Sequence, residues 1–102
     1  MSNRIELHEE LCKLLGSRNV YFQPPETLKM KYPCIRYKLN SVNTKRANNK
    51  IYLSTNGYKI TFIDTDPESD YIEKMFETFN YVSFDNFYTA DNLNHWVFTL
   101  FY

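Results

Sequence analysis

The amino-acid sequence predicts an α+β fold, a single domain (1–102) in which a mostly antiparallel sheet of four to five strands is flanked by two α-helices. Three observations lead to this prediction. The chain of 102 residues is long enough for one hydrophobic core. Aromatic residues make up 18% of it, and their side chains suit the pleated surface of a sheet. Helical and strand-like spacings of apolar residues follow in the order helix, strands, helix, strands.

The first helix is predicted to begin after Asn3 and to end at Gly16. Asn3 can cap the helix, and Glu6 stands at the reciprocal position of a capping box. Four leucines then share one face at helical spacing: Leu7, Leu11, Leu14 and Leu15. Gly16 suits the left-handed conformation that ends a helix. We therefore expect this helix to pack on the core through its leucine face.

The middle of the chain predicts three strands and a loop. A short strand at 20–22 precedes two prolines, and residues 34–39 alternate apolar and basic side chains, as in a strand with one wet face. The polar segment Asn40 to Lys50 contains four asparagines and predicts a mobile loop. Asn56-Gly57 predicts a type I′ turn that joins residues 51–54 to residues 58–62 in a hairpin, and the strand at 34–39 could pair with either arm of it.

Asp66 and Pro67 predict the start of the second helix. Asp66 can accept hydrogen bonds from the free amides of the first turn, and Pro67 suits the first helical position, where an N–H is not needed. Spacing of i, i+3, i+4, i+7 gives this helix one apolar face: Ile72, Met75, Phe76 and Phe79. Aromatic-rich strands follow at about 81–88 and 93–101, separated by the turn formers Asp91-Asn92.

The charges are unevenly distributed, although the formal net charge is zero. Residues 1–62 contain eleven basic residues and four acids, and residues 63–102 contain one basic residue and eight acids, which gives +7 and −7. Such a separation can align copies of one chain head to tail. Folding could equally interleave the two halves and cancel the field. A neutral domain is not typical of a protein that coats nucleic acid.

The sequence indicates a soluble protein made in a reducing cytoplasm. Cys12 and Cys34 lie in apolar contexts, which is typical of free buried thiols. Acids are mixed through the hydrophobic positions of the N-terminal segment, so we expect no secretory leader. No stretch reaches the roughly 18 apolar residues that span a bilayer, and we expect no membrane partner.

Two groups of residues are candidates for metal-dependent chemistry. Asp64 and Asp66 could belong to a metal-dependent active site, but a helix start accounts for this acidic segment better, because it lacks the glycine and closing glutamate of a calcium loop. His8 and Cys12 are four residues apart and would need scattered partners: Cys34 and His95. Zinc sites usually have two close ligand pairs, so residues at the edge of the core are the better interpretation.

Other signatures of catalysis are missing from the sequence. The two glycines do not form a phosphate-binding loop, and no serine or cysteine stands in a recognisable nucleophile elbow. We therefore predict no catalytic residue, metal or cofactor, and a protein that is not an enzyme.

The C-terminal segment carries large apolar side chains on both faces of a predicted strand. Trp96 and Phe98 share one face, and Val97 and Phe101 share the other. One face serves the core, and the second either lies beneath a helix, as in a central strand, or contacts another subunit. Because interfaces are enriched in aromatic residues, these four residues are candidates for an oligomer interface.

The predicted loop contains a basic cluster of Lys45, Arg46 and Lys50. These side chains could bind phosphate, with Tyr52 and Tyr58 nearby for stacking on bases. Solvation of three charges in a polar loop is the simpler alternative.

Three segments resemble a known family: "YFQPPETLKMKYPCIRYKL", "YKITFIDTDPES" and "FDNFYTADNLNHWVFTLFY". They look like the small tail-completion, or tail-terminator, proteins of long-tailed bacteriophages, which are encoded among the head–tail joining genes. The resemblance extends over nearly the whole chain. Its motifs are structural rather than catalytic.

The resemblance implies a subunit of a homo-oligomeric ring, commonly six-fold, in the tail or neck of the virion, assembled in the cytoplasm of the host bacterium. Such a ring ends growth of the tail tube by binding the tail-tube protein, and it connects to the head-closure or connector protein. Double-stranded DNA passes transiently through its centre. The matched segments imply that residues 94–101 form sheet and a candidate subunit contact, and that Asp66-Pro67 starts a helix. Lys45, Arg46 and Lys50 would then face the channel or a partner.

Two alternatives remain at this stage. The chain could be a neighbouring head-closure (stopper) or minor capsid component, or a small nucleic-acid-binding module.

Overall fold

The computed structural model describes residues 4–47 and 50–102, with the side chains of 42–47 and 50–55 outside that description. The elements within these ranges are α1 (Arg4–Leu15), β1 (Val20–Phe22), β2 (Cys34–Ala47), β3 (Lys50–Asp64), α2 (Tyr71–Thr78), β4 (Val82–Ala90) and β5 (Leu93–Phe101). This order matches the helix, strands, helix, strands pattern that the sequence predicts.

The strands form one five-stranded sheet in the order β1-β2-β3-β5-β4. β1 pairs with β2 in parallel, and the other neighbouring strands are antiparallel. The predicted α+β fold with a mostly antiparallel sheet is therefore confirmed.

Both helices pack on the same face of this sheet and enclose the core. Leu7 and Leu11 of α1 and Met75 of α2 are fully buried against Phe62 of β3 and Phe98 of β5. Successive side chains of a strand point to opposite faces, so each strand contributes alternate residues to this core. The opposite face, called the open face here, lies away from both helices.

The first helix follows the sequence prediction closely. Leu7 and Leu11 are buried, and Leu14 and Leu15 pack against the core from its margin. Gly16 adopts a φ of 81°, and its amide donates a 2.9 Å hydrogen bond to the Cys12 carbonyl oxygen. The predicted cap, Asn3, lies outside the described residues.

The predicted hairpin turn at Asn56-Gly57 is wrong, because both residues lie within the continuous strand β3. Gly57 pairs with Ser41 on one side and with Phe101 on the other. A β-carbon at Gly57 would collide with the Ser41 Oγ atom and lie 3.0 Å from the Phe101 ring, so this glycine provides space rather than a turn. Pairing with both neighbouring strands satisfies its backbone groups and outweighs the local turn preference.

The predicted loop from Asn40 to Lys50 is also corrected where the structure describes it. Residues 40–47 belong to β2, and Lys50 begins β3, with Ala47 paired to Lys50. Residues 48–49 lie outside the described residues. Local polarity predicted a loop here, but the antiparallel partner strand uses the same polar backbone for a ladder.

The far part of this strand pair projects beyond the rest of the sheet. β5 pairs with β3 from Gly57 to Asp64, and the backbone of Asn56 exchanges two hydrogen bonds with that of Tyr102. Residues 50–55 therefore pair with β2 alone within the described part of the chain. Residues 42–47 and 50–55 are called the hairpin arm here. The arm contributes to an elongated shape of 52 × 29 × 22 Å.

The second helix begins later than Asp66 and Pro67 predict. It starts at Tyr71, and its N-cap, Asp70, makes no side-chain capping bond. Asp66 instead accepts a 2.9 Å hydrogen bond from the amide of Glu68, two residues further on, which is the pattern of an Asx turn. Asp66 and Pro67 thus belong to a turn that precedes the helix.

The last hairpin agrees with the sequence. β4 and β5 are joined by Asp91 and Asn92, whose φ angles are 53° and 63°. Positive φ at both central residues is the requirement of a type I′ turn, which asparagine and aspartate tolerate.

Candidate functional site

Three of the four residues predicted to contact another subunit are buried within the chain itself. Trp96 and Phe98 belong to the core, with 3% and 0% of their surfaces exposed, and Val97 on the open face is 5% exposed. β5 lies between β3 and β4, and its side chains Trp96 and Phe98 belong to the core beneath the helices, which corrects the interface prediction for these two residues. Val97 lies on the open face, away from both helices, and its contact with another subunit stays a prediction. Phe101, at 38%, remains accessible.

The open face of the sheet carries a concave groove of about 690 Å³. Residues that are directly paired across neighbouring strands share a face, which brings Arg36, Thr61 and Val97 together in one row. Lys38 and Lys59 form the next row. Thr61 and Val97 are buried at its centre, and the three cationic side chains are exposed. We call this surface the basic groove, defined by Arg36, Lys38 and Lys59.

The cations of the basic groove have no ion-pair partner among the described residues. Asp85 is the acid that lines the groove, but its carboxylate accepts hydrogen bonds from the hydroxyls of Ser83 and Thr99. Lys38 and Lys59 are directly opposite each other in the register of β2 and β3. Like charges in directly opposed positions destabilise a sheet. With Asp85 counted, the lining of the groove carries a net charge of +2.

The helix side of the molecule presents the opposite charge. Five acids lie on α2 and on the turn before it, and all are exposed: Asp66, Glu68, Asp70, Glu73 and Glu77. We call these residues the acidic surface. Lys74 is the basic residue among them, with its Nζ 3.4 Å from Asp70. The acidic surface and the basic groove therefore lie on different sides of the molecule, while Asp85 of the acidic half of the sequence lines the groove.

Asp64, at the end of β3, has a structural role, because its carboxylate holds the turn that follows it. Its Oδ2 atom accepts hydrogen bonds from the hydroxyls of Tyr71 at 2.7 Å and Ser69 at 2.8 Å, and its Oδ1 accepts from the Asp66 amide at 3.1 Å. Burial alone would raise the pKa of Asp64, but these bonds and one from the Thr65 amide together lower it below the usual value. The carboxylate is thus held ionised as an acceptor within the turn.

The residues considered for a metal site are not brought together. His8 Nδ1 lies 2.8 Å from the Tyr37 hydroxyl on the helix side, and Cys12 belongs to the core beneath α1. Cys34 and His95 pair with Ile63 on the open face, so the sheet separates the two sets. Burial raises the pKa of Cys34 to about 11, and its thiol stays protonated at neutral pH. The described residues contain no group of three or more histidines, cysteines or acids that is arranged to hold a metal ion.

The predicted nucleic-acid site is rearranged by the fold. Lys45, Arg46 and Lys50 lie on the hairpin arm, where Lys45 pairs with Leu53 and Arg46 with Ile51. Their side chains, and that of Tyr52, are outside the described set. Tyr58 is 3% exposed within the core, with its ring centre 6.0 Å from that of Tyr37, so it cannot stack on a base.

Sequence reasoning missed the basic groove. The alternation of Arg36 and Lys38 with apolar residues identified a wet face on β2, and Lys59 and Thr61 alternate with apolar residues in the same way. The sequence leaves open which arm of the predicted hairpin pairs with residues 34–39, and the pairing of β2 with β3 shows that these faces coincide.

Comparison with protein-family models, with curated proteins and with solved structures gives no significant match. In the described part of the chain, neither helix has the length and apolar character that a membrane crossing requires. The basic groove, the acidic surface and the hairpin arm are the features from which a function can be inferred.

Proposed function

We propose that the chain is a structural subunit of a ring at the head–tail joint of a long-tailed bacteriophage. The ring ends growth of the tail tube and connects the tail to the head-closure or connector complex. The main support is the hairpin arm, a two-stranded extension of the sheet that projects from the domain. The resemblance of three sequence segments to tail-completion proteins points in the same direction.

The arm supports assembly because an isolated two-stranded hairpin is only marginally stable in water. Residues 50–55 pair with β2 alone within the described part of the chain, so the arm receives no third strand there. Packing against a neighbouring copy would supply the missing contact surface. In a ring, every copy has such a neighbour.

The size of the subunit also favours a ring. Its radius of gyration is 14.7 Å, which is too small for one copy to enclose a DNA duplex, so a channel requires several copies. The basic groove and the acidic surface lie on different sides of the molecule. Two different complementary surfaces are the requirement for the head-to-tail contacts of a ring.

The proposal is tested by size-exclusion chromatography with light scattering, followed by electron microscopy of the purified protein. Measurements are made over a range of concentrations, alone and with tail-tube protein, because a subunit can remain monomeric until it meets the tube. We expect closed rings that bind one end of assembled tubes and stop their growth. A protein that stays monomeric at every concentration and in the presence of tubes would contradict the proposal.

The head-closure alternative predicts a different partner. A stopper or minor capsid ring would bind the connector and leave the length of growing tubes unchanged. Measuring tube lengths with and without the purified protein therefore separates these two roles.

A small nucleic-acid-binding module is the second candidate function, and the basic groove favours it. Three exposed cations without ion-pair partners in the described residues could bind phosphate groups. This candidate predicts salt-dependent binding of duplex DNA that is lost when Arg36, Lys38 and Lys59 are changed to alanine. The formal net charge of zero makes it the weaker of the two.

A further inference from the structure

We infer that the basic groove of one copy binds the acidic surface of the next copy, and that this head-to-tail contact is the repeated interface of the ring. The inference rests on the proposed function, because it identifies the surfaces through which the ring subunits meet. It commits the open face of the sheet to one occupant, α2 of a second copy together with the turn before that helix.

The basic groove is suited to an anionic partner. Its lining includes three cations and Asp85, a net charge of +2, and Asp85 already accepts hydrogen bonds from two hydroxyls. The direct opposition of Lys38 and Lys59 costs stability in the isolated chain. A carboxylate placed between these side chains would turn the repulsion into two attractive contacts.

The acidic surface has the chemistry of that partner. Its five acids and the adjacent Lys74 carry a net charge of −4. Glu73 and Glu77 are one helical turn apart on α2, so their carboxylates lie on the same side of the helix. Of the five acids of the acidic surface, Asp70 is the one with an ion-pair partner among the described residues. The carboxylates of Glu73 and Glu77 are therefore available.

The two surfaces cannot neutralise each other within one copy. α2 packs on the helix side of the sheet, and the basic groove lies on the open face. A symmetric dimer formed through the groove would place like charges together, whereas a head-to-tail contact joins opposite charges at every interface. Duplex DNA could also fill the groove, but it would leave the acidic surface without a partner. A second copy accounts for both surfaces.

The test uses charge reversal on each surface of the full-length protein. The groove variant carries Arg36→Glu and Lys59→Glu, and the helix variant carries Glu73→Lys and Glu77→Lys. All four side chains are exposed, so we expect both variants to fold, which thermal unfolding checks. Lys13→Glu is the control, because it reverses the charge of an exposed residue on α1 that belongs to neither surface.

Each variant alone is expected to lose assembly, with the midpoint concentration raised roughly tenfold or more, because like charges then face each other. An equimolar mixture of the two variants is expected to restore assembly. In the mixture, an acidic groove meets a basic helix, and a basic groove meets an acidic helix. The chain that carries all four changes is expected to assemble alone, and Lys13→Glu is expected to behave as the unmodified protein.

The inference is overturned if the two variants assemble normally, or if neither the mixture nor the fourfold variant regains assembly. If the unmodified protein still forms rings in that case, the proposed function stands and only the interface is wrong. Absence of any oligomer of the unmodified protein, with or without tubes, contradicts both. Open filaments with the same restoration by mixing would support the contact and contradict the ring.

The same set of proteins distinguishes duplex DNA from a second copy as the occupant of the basic groove. If the groove variant loses binding of duplex DNA while it assembles like the unmodified protein, nucleic acid occupies the groove and the inference is wrong. If assembly is lost and restored as described, the second copy is the occupant.

Discussion

The hydroxyl of Tyr71, the first residue of α2, donates a 2.7 Å hydrogen bond to the carboxylate of Asp64, the last residue of β3. Ser69 donates to the same oxygen atom at 2.8 Å. The buried carboxylate thus joins the end of a strand to the start of a helix across the turn that contains Asp66. This contact explains why the helix begins at Tyr71, since the turn is held by Asp64 up to that residue.

Changing Tyr71 to phenylalanine should lower the free energy of unfolding by about 1–3 kcal/mol, because a buried carboxylate loses one of its donors. The ring contacts of Tyr71 with Phe62 and Trp96 are kept in this variant, so the loss reports the hydrogen bond. Urea unfolding at neutral pH measures the change. Tyr81→Phe is the control, because Tyr81 is 74% exposed and should show almost no loss. Equal losses in the two variants would contradict the role of the bond.

Stability should fall in acid because of Asp64. Its pKa in the folded chain is lowered from the ordinary value of 3.8, so the unfolded state binds more protons in this range. The contribution of Asp64 is complete above the ordinary value and is lost as the pH falls through the lower, folded value. Urea unfolding between about pH 6 and pH 2.5 tests this sign. Asp64→Asn should be less stable at neutral pH and should show a shallower acid dependence, and an unchanged slope would contradict the assignment.

Gly57 should resist substitution because of crowding rather than backbone conformation. Gly57→Ala should cost about 1–3 kcal/mol, since the new methyl group overpacks the space between Ser41 and Phe101. In a Ser41→Ala background the cost should be smaller, because the hydroxyl that meets the methyl group is gone. A double-mutant cycle by urea unfolding measures this coupling. Strictly additive losses would show that the two side chains do not compete for space.

Trp96 should report a buried site that assembly does not change. It is the only tryptophan in the chain, and the rings of Tyr71 and Phe87 each lie 5.3 Å from it. We expect blue-shifted fluorescence and weak quenching by iodide, equal in the monomer and in the assembled ring. Phe87→Ala should raise quenching by uncovering the indole, and Phe101→Ala, on the other sheet face, should not. Weaker iodide quenching of Trp96 in the assembled ring than in the monomer would mean that Trp96 lies at an interface.

Shortening the hairpin arm should separate assembly from folding. Val42 and Asn56 are paired, so an Asn-Gly turn can replace residues 43–55 between them. We expect loss of the rings and a similar unfolding midpoint, because every core residue among the described side chains lies outside the replaced segment. The matched control keeps the arm and changes Lys45, Arg46 and Lys50 to alanine. It shows whether assembly depends on the presence of the arm or on its positive charge. A shortened chain that assembles normally would remove the main support for the proposed function.

Elements with a strong local signal could be predicted from the sequence. The leucine spacing of α1 predicts its buried face, the glycine predicts its end, and Asp91-Asn92 identifies the tight turn before β5. At Asp66-Pro67 the local signal is ambiguous, because an Asx turn and a helix cap use the same aspartate. The hydrogen bond from Tyr71 to Asp64 decides between the turn and the cap, and the sequence around Asp66 does not reveal this bond.

The candidate site could be predicted only in part, for a related reason. Exposure of Arg36 and Lys38 follows from alternation within one strand. The meeting of Lys38 and Lys59 depends on register, a relation between strands that polar or turn-forming residues such as Gly57 do not specify. Burial of Trp96 likewise depends on residues of other elements that pack against its indole, Tyr71 of α2 and Phe87 of β4.

The register of β4 and β5 shifts between Phe84 and Asn86, which leaves Asp85 as an extra residue in β4. β4 is the outermost strand on its side of the described sheet, so its free amide and carbonyl groups could template the addition of a foreign strand. A bulge bearing a carboxylate breaks that template in the middle. Addition of a foreign strand at the β4 edge is therefore unfavourable unless Asp85 is deleted to straighten the strand.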